Sequence, residues 1–129
     1  MAKVLVVDDE PDLRFLHRRI LSRAGHEVTE ANDGAAALEA VRASPPDLVV
    51  TDVMMPIMNG VELIRRLRAD PRTAAIPVVA VSGDWRLVTE ADRVLAKPCS
   101  SRDLRAAVDD LLRKGVRDSD TIVDRASRS

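Results

Sequence analysis

Short runs of aliphatic and β-branched residues alternate along this chain with longer stretches of helical period, and few folds accept that pattern. The runs are VLVV at 4–7, EVTEA at 27–31, DLVVT at 47–51, IPVVAVS at 76–82 and RVLA at 93–96. Three of them carry an unbroken apolar stretch, VLVV, LVV and VVAV, as strands covered on both faces do, whereas a half-exposed strand alternates. Pro11 suits a first helical turn, and Leu13, Leu16, Ile20 and Ala24 make one stripe before Gly25 stops the helix. The alanine-rich GAAALEAVRAS forms a second helix and ends ahead of Pro45 and Pro46. A third opens at Gly60 with Leu63, Ile64 and Leu67 on one side, and a last one, Ser101 to Lys114, turns Leu104, Ala107, Val108 and Leu111 inward. Strand and helix in alternation, with short connections and right-handed crossovers, predict an α/β fold. Its sheet is doubly wound, parallel and five-stranded, with helices on both faces.

The length of 129 residues holds one core and buries roughly 65 to 70% of the unfolded surface. The expected domain is residues 1–114; the remaining 115–129 show neither period and are expected to form a flexible tail. With 20 basic against 21 acidic side chains the formal net charge is -1, so no global field recommends nucleic acid or an anionic membrane as a direct partner. The single Cys99 cannot form an internal disulfide, and no leader or bilayer-length apolar run is read, so a soluble cytoplasmic protein is expected. Phe15 and Trp85 are the only aromatic residues, too few for a base-stacking platform.

In parallel sheets of this kind functional loops gather beyond the carboxyl ends of the strands, where strand order reverses. Asp8 and Asp9 end the first strand, Asp52 the third and Ser82 the fourth, and Lys97 follows the fifth. Any one acid there is equally well the N-cap of the next helix. Three carboxylates, a hydroxyl and a lysine at one edge are a coherent chemical set. Clustered carboxylates near low dielectric raise one another's pKa unless a cation joins them, and all-oxygen ligands suit Mg2+. A carboxylate can also attack phosphorus to give an aspartyl phosphate, while lysine and hydroxyl stabilise the equatorial oxygens. Asp52 fits the nucleophile, and Lys97 and Ser82 the stabilising groups.

The segments VLVVDDE, DLVVTDVMMPIMNG, VVAVSGD and VLAKP, in this order over residues 3–114, resemble the receiver domain of bacterial two-component response regulators. The resemblance implies strand order 2-1-3-4-5. It implies that Asp52 accepts a phosphoryl group from a histidine kinase or histidine phosphotransfer protein, and that Asp8, Asp9, Asp52 and the backbone carbonyl of Met54 hold Mg2+. Ser82 would contact a phosphoryl oxygen as the switch hydroxyl, Lys97 would pair with the phosphoryl group, and Lys97-Pro98 becomes a candidate cis peptide. Glu10 is read as solvated at the helix start. No output domain is read after residue 114, so the expectation is a stand-alone switch, monomeric or weakly dimeric, acting on an unknown downstream protein. It would be no enzyme beyond its own phosphotransfer and dephosphorylation.

Two departures from the family bear on signalling. Val94 stands where the family carries an inward-turning aromatic or histidine, and the stretch from Ser82 to Lys97 is 15 residues, so the fourth helix is expected to be shortened or absent. Phe15 points away from the first helix's apolar stripe toward Arg18, Arg19 and Ser22, and with Trp85 is a candidate partner contact. Met54, Met55 and Met58 read as apolar cover for the site, Cys99 as a small apolar residue, and His17 and His26 as structural. The alternatives are a receiver-shaped adaptor whose binding ignores phosphorylation, and a small-molecule aspartyl phosphatase. Phosphatases resembling the haloacid dehalogenase group need an acid two residues after the nucleophile, where this chain has Met54.

Overall fold

In the computed structural model, which describes residues 2–83 and 90–116, the expected alternation is realised. The elements run β1 (Lys3–Val7), α1 (Pro11–Arg23), β2 (Glu27–Ala31), α2 (Gly34–Ala43), β3 (Leu48–Asp52), α3 (Gly60–Ala69), β4 (Val78–Ser82), β5 (Arg93–Ala96) and α4 (Ser101–Val116). The strands form one parallel sheet in the order β2-β1-β3-β4-β5. No helix is described between β4 and β5; residues 84–89 of that connection, and with them Trp85, lie outside the described residues, as do 117–129. The last helix continues through Gly115 and Val116, two residues past the expected end at Lys114.

The apolar strands are explained by two cores. Leu5, Val7, Val49, Val78 and Ala80 face one side and pack with Leu38 and Val41 of α2 and Leu63, Ile64 and Leu67 of α3. Val4, Val6, Leu48, Val50, Val79 and Val81 face the other and meet Leu21 of α1 and Leu104, Val108 and Leu111 of α4. Alternate residues on each strand thus bury on opposite faces, which only a sheet covered on both sides requires. Helix starts are fixed locally: Asp33 accepts from the Ala36 amide at 2.7 Å and Asn59 from the Glu62 amide at 2.9 Å, each a side-chain N-cap. α1 instead begins with Pro11 after Glu10, whose side chain makes no cap bond.

The stripe expected for α1 is rotated. Its buried residues are His17 and Leu21, while Leu16 is 47% exposed and Ala24 is exposed. The apolar arc of this helix is wide, and its centre falls on a histidine that polarity alone assigns to the outside. A neutral imidazole is apolar enough to occupy it.

Candidate functional site

Strand register assembles the site. Val7 lies level with Thr51, Asp52 with Val81 and Ser82 with Ala96. The residues at or just past the strand ends, Asp8, Asp52, Ser82 and Lys97, therefore line one edge of the sheet. β1 and β3 flank the point where strand order reverses, and their ends supply all the acids. Carboxylate oxygens of Asp8, Asp9 and Asp52 lie within 4.8 Å of one another. Asp8 and Asp52 are buried, and Asp9 is exposed.

Each group is held by a specific bond. Lys97 Nζ lies 2.8 Å from Asp52 Oδ1, and the Val53 amide donates to the same oxygen at 2.8 Å. The Lys97 amide donates to the Ser82 carbonyl at 3.0 Å, tying the β5 end to the buried Ser82. The Asp8 amide donates to the Ala31 carbonyl at 3.1 Å, and Asp8 Oδ1 receives the Glu10 amide at 2.9 Å. Gly60 closes the floor, since a Cβ there would stand 2.3 Å from the Asp52 carbonyl oxygen. The Lys97-Pro98 bond is cis.

The electrostatics show a site short of positive charge. Burial pushes the Asp8 carboxyl above its ordinary pKa and Asp52 and Asp9 add to the rise, against the Glu10 amide bond and Lys97. Burial works to lower the Lys97 pKa, but its bond to Asp52 and the charges of Asp52, Asp8 and Glu10 prevail and hold it above the usual lysine value. An all-oxygen donor set with a disfavoured carboxylate fits a hard divalent cation.

The structure brings Asp8, Asp9, Asp52, Ser82 and Lys97 to one edge and leaves Phe15 outside, 56% exposed on α1. Of the three loop methionines, Met55 and Met58 pack against the core, while Met54 is 71% exposed. Val94 is partly buried against the α2 and α3 core. Burial raises the Cys99 thiol pKa, in keeping with an inert residue. Several features escape sequence reasoning. Arg14 bonds the Asp8 carbonyl, His17 lies within the field of Lys97 and Asp52, and Ile57 adopts φ 71 in the loop after Asp52 while 84% exposed. A β-branched residue in the left-handed region is strained and gives no local sequence cue. Arg14 had one: the step from Glu10 to Arg14 is a helical turn, which returns the side chain over the strand end.

A doubly wound sheet with an acid-lined site at its switch point defines a class of phosphate- or cation-handling α/β domains. The chain belongs to the response regulator receiver domain family, whose profile matches residues 4–109. It is 36% identical over 103 residues to Protein PilH of Pseudomonas aeruginosa, covering 80% of this chain and 83% of PilH. It is 39% identical over 117 residues to the sensor histidine kinase TmoS of Ectopseudomonas mendocina, covering 85% of this chain but 12% of that protein. The signal receiver domain of a histidine kinase from Syntrophus aciditrophicus superposes with a TM-score of 0.82 at 31% identity, covering 88% of this chain and 91% of that one. Receiver domains are signalling switches of two-component systems. No helix among the described residues is long and apolar enough to cross a membrane.

Proposed function

We propose that this protein accepts a phosphoryl group on Asp52 from a phosphohistidine of a kinase or phosphotransfer protein and thereby changes its affinity for a downstream protein. The observation that carries this reading is the convergence of three carboxylates on the one edge where Lys97 already pairs with Asp52. With Oδ1 of Asp52 engaged by Lys97 and the Val53 amide, Oδ2 is the oxygen left to attack. The Asp52 oxygen–phosphorus bond forms as the histidine nitrogen–phosphorus bond breaks, and the imidazole leaves with the electron pair. Asp8, Asp9, Asp52 and the Met54 carbonyl would hold Mg2+, which supplies neutralisation of the acids and of the phosphoryl oxygens. Lys97 transfers its ammonium from carboxylate to phosphoryl oxygen, and the Ser82 hydroxyl donates to another. Phe15 is assigned to docking of the donor.

A second reading has one support. Val94 has no ring to swing inward and already packs against the core, which supports partner binding that ignores phosphorylation.

Radiolabel transfer from acetyl phosphate in the presence of Mg2+ tests the first reading on native protein and Asp52→Ala. Label in the native chain and none in the variant is expected. Equal labelling of both would remove Asp52 from the nucleophile role, and a native chain that takes no label from any donor would favour the adaptor.

A further inference from the structure

Arg14 takes no part in the phosphotransfer scheme, yet it is the side chain that grips the acidic turn from outside it. Its Nη1 donates to the backbone carbonyl of Asp8 at 2.8 Å, and its Nε to Glu30 Oε1 at 2.9 Å. Glu30 sits on β2 level with Val6, and its other oxygen meets Arg18 Nη1 at 3.2 Å. The Arg14 side chain is mostly buried, at 20% exposure, and its bond to the Asp8 carbonyl is part-buried, so solvent competes weakly there, while the bond to Glu30 lies at the surface.

The carbonyl that Arg14 holds belongs to the peptide joining Asp8 to Asp9. That unit is a rigid plane, so fixing its oxygen restricts ψ of Asp8 and φ of Asp9 together, and with them the directions of both carboxylates. Asp8 is then tied at three points: its amide to β2, its Oδ1 to the Glu10 amide and its carbonyl to Arg14. Two of the three run to the β2–α1 side of the fold, away from Asp52.

We infer that Arg14, oriented by Glu30, is a positioning residue for the acidic cradle, pinning the Asp8–Asp9 peptide so that both carboxylates face a bound divalent cation. The inference rests on the phosphoacceptor reading for the identity of the cation as Mg2+. It has a sign of its own. A guanidinium near a cation site repels the cation, so charge alone predicts tighter Mg2+ binding when Arg14 is removed; positioning predicts weaker binding.

The test uses 15N-labelled full-length protein, native and Arg14→Ala, with Mg2+ affinity from calorimetry and amide exchange at Glu10, whose N–H bonds Asp8 Oδ1. The expected result is roughly tenfold weaker Mg2+ binding, the lower end of the 10- to 100-fold range for residues that orient metal ligands. Exchange at Glu10 should quicken while that at Leu5 and Val6, mid-strand, stays as in the native chain. Arg14→Lys keeps the charge, but one ammonium cannot span carbonyl and carboxylate, so it should fall between. Should Arg14→Ala fail to fold, Glu30→Gln weakens the same grip without touching Arg14. Mg2+ binding as tight as or tighter than native, or an unchanged Glu10 exchange rate, overturns the inference. A native chain that binds no Mg2+ sinks the metal reading instead, and Glu10 exchange then still decides whether Arg14 holds the turn.

Discussion

Two buried carboxylates at one edge obtain their counter-charge differently. Asp52 has the ammonium of Lys97 at 2.8 Å, whereas no salt bridge among the described residues reaches Asp8, which has only the Glu10 amide on its carboxylate. Burial and the nearby acids raise the pKa of Asp8, so the fold favours its protonated form. The stability this gives is present below the unfolded-state value near 3.8 and is lost as pH rises through the higher folded value. Once ionised, the group therefore works against the metal-free fold. Asp8→Asn should raise the Tm of the metal-free protein at pH 7 and remove its stabilisation by Mg2+. In the native chain, Mg2+ at ten times its Kd should add ~1.4 kcal/mol, or about 5 °C. A Tm unchanged by Mg2+ in both proteins would assign the cluster a purely structural role. His17 has the opposite sign. Burial lowers its pKa below 6.5 and Lys97 lowers it further, against the pull of Asp52, so the fold keeps the imidazole neutral. Unfolded chains then bind the proton more readily, and stability falls as pH drops below 6.5 through the folded pKa. His17→Leu should flatten the acid limb of a Tm-against-pH curve across that window, and an identical limb in both proteins would show that other groups set it.

At the scale of elements, the tightest approach in the site is that of α3 to the end of β3. The first residue of α3, Gly60, donates its amide to the Val53 carbonyl at 2.8 Å, and a Cβ there would lie 2.3 Å from the Asp52 carbonyl oxygen and 2.9 Å from Val53 Cα. Backbone atoms cannot rotate out of the way as a side chain can. Gly60→Ala should cost about 2–3 kcal/mol, within the usual range for overpacking. Because the strain falls on the peptide after Asp52, it should also weaken beryllofluoride binding more than Tm loss alone explains. Urea unfolding and ligand titration of the same variant check the two effects. What could be read in sequence divides along the same line. The three strands with unbroken apolar stretches and the faces of α3 and α4 were legible, because one residue type repeats at one period and burial follows it. The acids, Ser82 and Lys97 were legible because each sits at or just past a strand end, and parallel pairing aligns those ends. The orientation of α1 was not, since its buried centre is a histidine. Nor was the Arg14–Glu30 pair, whose partners lie 16 positions apart and meet only through the β1–β2 register. The φ of Ile57 is set by how β3 and α3 are joined, which no local composition encodes.

At the scale of the molecule, the acidic edge proposed to take the phosphoryl group and the exposed apolar surface of α1 are separate features of one chain. Asp52 is buried at the sheet's edge, while Phe15 and Leu16 project from α1 into solvent. Beside them a groove of about 380 Å³ is lined by Leu16, Arg19, Ile20, Arg23, Cys99 and Ser101, between α1 and the start of α4. Under the proposed transfer, a macromolecular donor would be held against such a surface for its phosphohistidine to reach Asp52. A small donor such as acetyl phosphate needs only the pocket, so the two donors separate docking from chemistry. Phe15→Ala should leave labelling by acetyl phosphate at the native rate, because the substitution lies outside the acidic cluster. Transfer from whichever phosphohistidine protein labels the native chain should slow by about 5- to 30-fold, the loss of 1–2 kcal/mol typical of truncating an interface anchor. Since the chemical step is untouched, the slowing should appear as weaker donor binding, with the rate at saturating donor preserved. If both donors slow equally, Phe15 acts on the pocket itself, through α1 and the Asp8 turn; if neither slows, the donor approaches Asp52 from another side, and the exposed ring contributes nothing to transfer.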